Sequence, residues 1–325
     1  DLNSTVSLEM IWVQPGTFTM GSPPNEVGRG SDETEHNVTL TKGFYLGKYE
    51  VTQAQYEAVM AGNVDGLSAT PSHWAGNPNR PVEVVSWADA QIFLTRLNAQ
   101  QSANIPAGWA YVLPAESQWE YACRAGTTTA YSWGATIASA NANYNWDGLA
   151  HTGIDFGRTR DVGQYAANPW GFFDMHGNVF EWTADWYQAA YPSDNPMVDP
   201  IGPAFGSHRV KRGFAWSHSG TRLRSAGRGP STPNLRYYNI GFRLAFRQVT
   251  QKEIELNATA QNIYAYEEKP AGMAIGVFVT NAPDRGVSNT YSLLSNYPDE
   301  SNFSIRGNVL YSADVFDFET KPAYE

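Results

Sequence analysis

The sequence predicts an α+β protein poor in regular secondary structure, followed by a small all-β domain. Three observations lead there. Helical signatures occur only in the first 126 residues; residues 127–248 alternate short aromatic runs with turns; and the composition shifts near Gln248–Glu255 into short β-type runs. Domains are therefore expected at 1–249 and 250–325.

Composition narrows the function classes. Charged residues make up 17 % of the chain, which favours a loop-rich or β-rich protein over a helical bundle. The net charge of −10 argues against nucleic-acid and anionic-membrane partners. No apolar run reaches the roughly 18 residues of a membrane helix. The chain opens at Asp1 with no secretory leader, as a processed mature form would. Cys123 is the single cysteine, so no disulfide framework forms within the chain. With Trp119 and Ala122 at helical spacing, Cys123 reads as a small core residue.

The elements follow in order. Residues 9–21 alternate apolar and polar side chains around a Pro-Gly turn and read as strand. A second strand region covers Val38 to Tyr49, broken at Gly43. Thr52 with Gln55 three positions on starts a first helix ending near Met60, and Val51 can staple against Tyr56. Ser86 with Asp89 starts a second, whose stripe Trp87, Ala90, Phe93, Leu94 and Leu97 faces the core. A short third helix spans Ala115 to Arg124, with Gly126 placed to close it in the left-handed conformation.

The stretch Asn168–Tyr187, NPWGFFDMHGNVFEWTADWY, fits neither a 3.6 nor a 2 repeat. Buried irregular backbone is the expectation, and such backbone needs partners for its carbonyls. Asp174, Glu181 and the Gly177–Val179 backbone supply the oxygens a hard cation takes, a candidate Ca²⁺ site. An aromatic core strand with two surface acids is the alternative, and both stay open here.

Six blocks in order resemble the sulfatase-modifying-factor family, the formylglycine-generating-enzyme-like domain. They are MIWVQPGTFTMGS (10–22), GFYLGKYEVTQAQYEAVM (43–60), RPVEVVSWADAQIFLTRLN (80–98), LPAESQWEYACRAG (113–126), the 168–187 stretch, and RVKRGFAW with NIGFRLAF (209–246). The resemblance implies an elaborated C-type-lectin-like fold with bound Ca²⁺. Residue by residue it puts one ion on Asp174, the carbonyls of Gly177 and Val179, and Glu181. A second would begin at Asn143 and the Tyr144 carbonyl and end on Asp155. Residues 257–325 resemble an incomplete cadherin-like repeat through EEKPAGMAIG, FSIRGNVL and FDFET, which implies junctional Ca²⁺ ligands Glu267, Asp317 and Glu319.

The family's oxidases use a cysteine pair in the block after RVKRG to bind copper. Here that block reads GFAWSHSGTRLRSAGR, without cysteine. Soft Cu(I) needs thiolates. The iron-dependent branch uses a His-x₃-His-x-Glu motif; His36, His73, His151, His176, His208 and His218 include no pair four apart. The family cleft maps onto Trp216, Ser217, His218, Arg222, Arg224 and Arg228, with Tyr237, Tyr238 and Asn239 nearby. Its aromatic, Arg and hydroxyl side chains suit a peptide or glycan ligand; Arg224 and Arg243 are expected to pair with core carboxylates instead.

The expected function is a non-catalytic, calcium-binding adhesion, assembly or ligand-binding protein, secreted or displayed on a bacterial surface. Homo-oligomers, filaments or surface-layer neighbours would form through unfinished strand edges of the β domain. A metal-dependent oxidoreductase with non-cysteine ligands in the cleft is the alternative.

Overall fold

The computed structural model describes residues 1–145, 157–191, 196–203 and 206–249, and the strands within 274–312. The chain forms two compact units, Asp1–Gln248 and Val249–Glu325.

In the first unit the strands and helices are β1 (Met10–Val13), β2 (Gly16–Met20), β3 (His36–Leu40), β4 (Phe44–Gly47), α1 (Gln53–Met60), α2 (Trp87–Gln100), β5 (Trp109–Val112), α3 (Glu116–Arg124), β6 (Phe180–Trp186), β7 (Met197–Val198), β8 (Arg209–Arg212), β9 (Arg228–Ser231), β10 (Ile240–Phe242) and β11 (Ala245–Gln248). The helix starts follow the residues that cap them. Thr52 and Ser86 each accept from the third helical N–H, while Gln55 and Asp89 reach back to the cap N–H. The apolar stripe of α2 is buried, and Phe93 stacks on Tyr56 of α1 at 5.4 Å. α3 ends one residue earlier than Gly126 would suggest: Ala125 already takes the left-handed conformation, at φ 48°.

Three sheets result, ordered β1-β4-β11-β5, β10-β6-β8-β9 and β2-β3-β7. The last strand, β11, lies antiparallel to β4 and β5, so the two ends of the unit close one sheet. The largest apolar cluster joins α1 and α2 to β6 and β10 through Tyr56, Phe93, Leu97, Trp182 and Phe242.

The structure corrects the expectation for Asn168–Tyr187. Its second half is not irregular: Phe180–Trp186 is the seven-residue strand β6, parallel to β10 and antiparallel to β8. Six of its seven residues are buried. A strand covered on both faces has no alternation to read.

Arginine side chains hold the irregular loops. Arg212 donates to the carbonyls of Ser225 and Gly227, Arg124 to Gly21, Arg224 to Gly28 and Thr221, and Arg243 to Gly47 and Phe173. Each also meets a buried carboxylate: Arg212 meets Glu116 and Glu120, Arg124 Glu120, Arg224 Glu33, and Arg243 Glu181. One guanidinium carries five donors in a rigid fork, so it can satisfy two loop carbonyls and an acid together.

In the second unit the described residues form one antiparallel sheet, β12 (Ala274–Val277), β14 (Val309–Ser312) and β13 (Phe303–Arg306), in that spatial order. Glu267, Asp317 and Glu319 lie outside the described residues.

Candidate functional site

The turn before β6 places the first group of expected site residues. Asp174, Gly177 and Asn178 all take positive φ, at 58°, 114° and 62°. That reverses the chain tightly and turns polar groups inward. Asn178 is the hub: its side chain donates to Glu50 Oε2 at 2.6 Å and accepts from Arg160 N at 2.9 Å and Asn143 Nδ2 at 3.1 Å. Glu50 Oε1 accepts from Val179 N at 3.0 Å. The sequence reading missed Glu50; an isolated acid before a helix cap carries no signal of a partner 128 residues away.

Glu181 is fully buried and already engaged. Arg243 grips both its oxygens at 2.8 and 3.0 Å, and Trp119 Nε1 donates to it at 2.7 Å. Asp174 accepts from Gly163 N at 2.7 Å. Burial first, with repulsion from Glu181 adding to it and the Gly163 hydrogen bond and the Arg243 charge opposing it, pushes the Asp174 carboxyl up to about 6. Burial and the charges of Asp174 and Glu181 push Glu50 well above the usual carboxylate range. Three carboxylates thus face one guanidinium.

The turn offers oxygen donors only, the kind a hard dication takes. Among the described residues no three His, Cys, Asp or Glu side chains converge as a metal cluster. An ion here would therefore combine the Gly177 and Val179 carbonyls with Asp174 and whatever capacity Glu181 retains beside Arg243. Asn143 sits against the same turn, its carbonyl accepting from Asn178 N at 3.0 Å. Tyr144 is buried beside Ala142 and Leu223. Asp155, the third residue of that second set, lies outside the described residues.

The cleft residues come together on the other side of β6. Trp216 packs near Tyr238 at 5.7 Å and Trp74 at 6.3 Å, and Tyr238 near Tyr237 at 4.2 Å. His218 lies edge-on to Phe180 at 4.9 Å and Phe214 at 5.3 Å. Ser217 Oγ accepts from Asn239 at 2.8 Å. Arg222 is exposed at the edge of a short 3₁₀ turn, Gly220–Arg222. Arg224 and Arg228 do not belong here: Arg224 is bound to Glu26 and Glu33, and Arg228 to Glu116. Trp74 and His73, from the loop before α2, join the aromatic wall. Lys211 of β8 meets the Phe180 ring on which His218 packs, its ammonium 4.1 Å from the ring centroid. Only the strand pairing explains Lys211: Arg209 and Lys211 share one face of β8, Val210 and Arg212 the other.

Cys123 is remote from this chemistry. It is fully buried in α3, with Sγ 3.5 Å from His176 Nε2 and 3.8 Å from the Met175 carbonyl. Burial pushes its thiol up to about 12 and the His176 imidazole down to about 4. The native thiol is protonated at neutral pH and unreactive. Iodoacetamide at pH 7.5 is expected to label no cysteine in the folded protein and one per chain in denaturant; labelling at equal rates in both would contradict this burial.

Residues 3–248 match the FGE-sulfatase family, described as the sulfatase-modifying factor enzyme 1-like domain. The formylglycine-generating enzyme of Streptomyces coelicolor is 30% identical, over 71% of this chain and 86% of its own. That of Mus musculus is 28% identical, over 73% and 74%. Among solved structures, PvdO from Pseudomonas aeruginosa superposes with a TM-score of 0.64 at 28% identity, covering 74% of this chain and 94% of PvdO. Treponema denticola variable protein 1 gives 0.63 at 26%, covering 74% and 96%.

Proposed function

The chain belongs to the sulfatase-modifying factor enzyme 1-like family, and on that premise we propose that it is a ligand-binding member without formylglycine-generating activity. The observation that carries this is the state of the lone thiol. Cys123 is sealed in the core, with its ionisation pushed up to about 12. Residues 213–228 hold aromatic and hydroxyl groups and no sulfur. Copper activation of oxygen in this family requires thiolates at that block, and a thiol that does not ionise in place cannot supply one.

The cleft of Trp74, Trp216, Ser217, His218, Tyr237 and Tyr238 then serves recognition. Rigid aromatic side chains give contact area at little entropic cost, and the hydroxyl and amide groups give direction. Calcium at Asp174, Gly177, Val179 and Glu181 is part of the proposal, as a brace for the turn that carries β6. A secreted or surface location, and adhesion or assembly through the cadherin-like second unit, complete it. No helix of the described residues is long and apolar enough to cross a membrane.

Two measurements test the reading. A glycan and peptide array probed with the full chain is expected to give discrete hits that Trp216→Ala removes. Incubation with copper and a sulfatase-type cysteine peptide is expected to yield no aldehyde. Aldehyde formation, or copper or iron bound in stoichiometric amount, would establish the metal oxidoreductase instead.

A further inference from the structure

The chain carries a net charge of −10, yet one buried ammonium beside its cleft has no counter-ion among the described residues. Lys211 is only 8 % exposed and lies on the central strand β8. Its neighbour Arg212 is matched by Glu116 and Glu120, but the Lys211 ammonium takes part in no ion pair and no hydrogen bond among the described residues. What surrounds its ammonium is aromatic: Phe180 at 4.1 Å and Trp182 at 5.9 Å. Cation–π contact offsets only part of what burying an ammonium costs. Burial accordingly draws Lys211 down to about 8. His218 packs on the same Phe180 ring. Burial lowers its imidazole, and the charges of Lys211 and Arg222 lower it further. Lys211 is matched by no acid among the described residues, so it offers an ammonium to an anion, while the lowered His218 imidazole beside it adds no charge at neutral pH.

The walls say what the anion is attached to. Trp216 and Trp74 both have indole N–H groups that are buried and without a partner. Ser217, Asn239 and the paired hydroxyls of Tyr237 and Tyr238 lie alongside. A peptide added as a strand would need a free sheet edge. The strands under the cleft offer none: β6 is flanked by β10 and β8, and β8 by β6 and β9. Flat aromatic faces edged with hydroxyl and amide groups fit a pyranose, which has an apolar C–H face and a belt of hydroxyls. We infer that the cleft binds a carboxylate-bearing sugar, with Lys211 holding the carboxylate and Trp216 and Tyr238 packing against the ring.

This inference rests on the cleft being a recognition site and adds the chemistry of its ligand. The test is titration calorimetry of the full chain with methyl glucuronide, N-acetylneuraminate, the neutral methyl glucoside, and a Glu-containing dipeptide. At least one acidic sugar is expected to bind, with the glucoside and dipeptide much weaker. Lys211→Met keeps the length and apolar stem and removes the buried charge. It is expected to melt no lower than the wild type and to lose about tenfold or more in acidic-sugar affinity, the value of a charge-assisted hydrogen bond. Equal binding of glucuronide and glucoside, binding of the dipeptide alone, no binding of either acidic sugar, or full affinity in Lys211→Met would each overturn the inference. Array hits on neutral glycans that depend on Trp216 but not on Lys211 would overturn it while leaving the recognition cleft standing. Acidic-sugar binding that needs Lys211 but survives Trp216→Ala would sustain the carboxylate anchor and remove the aromatic wall from it.

Discussion

Arg243→Met is expected to cost about 3–5 kcal/mol of stability, a drop in melting temperature on the order of 10 °C. Arg243 is fully buried and joins three parts of the molecule: both oxygens of Glu181 on β6, the Gly47 carbonyl at the end of β4, and the Phe173 carbonyl ahead of the turn. Methionine fills much of the volume, so cavity formation contributes little. What remains is a buried Glu181 facing Glu50 and Asp174 without its guanidinium partner, and two loop carbonyls without donors. Arg222→Met, at an exposed position, is the control and should stay within about 0.5 kcal/mol of wild type. Thermal melts of both variants decide it; equal melting would mean the Glu181 pair does not hold the core.

Calcium removal gives the second large effect. An ion that binds only the folded chain adds about 2.7 kcal/mol at a hundred times its dissociation constant, so exhaustive chelation should lower the melting temperature by several degrees. The pH response identifies the site. Asp174 is raised to about 6 and Glu50 is raised as well, so the folded state holds more protons than the unfolded chain in this range. Stability in chelator therefore falls as pH rises from about 4 through about 6, and the full cost persists above it. Bound calcium would keep these carboxylates ionised and remove the fall. Asp174→Asn is expected to flatten the profile in chelator and to abolish the calcium response. Superimposable melts in chelator and in excess calcium would sink the assignment.

The helices were legible because their signals are local. Thr52 with Gln55 and Ser86 with Asp89 close their capping boxes within one turn, and the α2 stripe repeats on one face. The cleft aromatics were legible only through the ordered blocks of the family resemblance. Beyond that, sequence spacing fails for physical reasons. β6 is buried on both faces and shows no alternation, so it passed for irregular chain. Arg224 and Arg228 follow Trp216 within twelve positions, yet their guanidinium groups are taken up by acids of a distant loop, Glu26 and Glu33, and of α3, Glu116.

By itself the sequence determined the helix starts, the α+β class, the absence of a second cysteine and the oxygen-rich turn at Asp174–Glu181, since each is a matter of residue type or of contacts within a few positions. Only the tertiary structure decided which charges are matched. Arg243 meets Glu181 across 62 positions, Glu50 meets Asn178 across 128, and Lys211 meets no acid among the described residues. Ion pairing in a core depends on which loops fold against one another, and nothing in the spacing of charged residues along the chain encodes that.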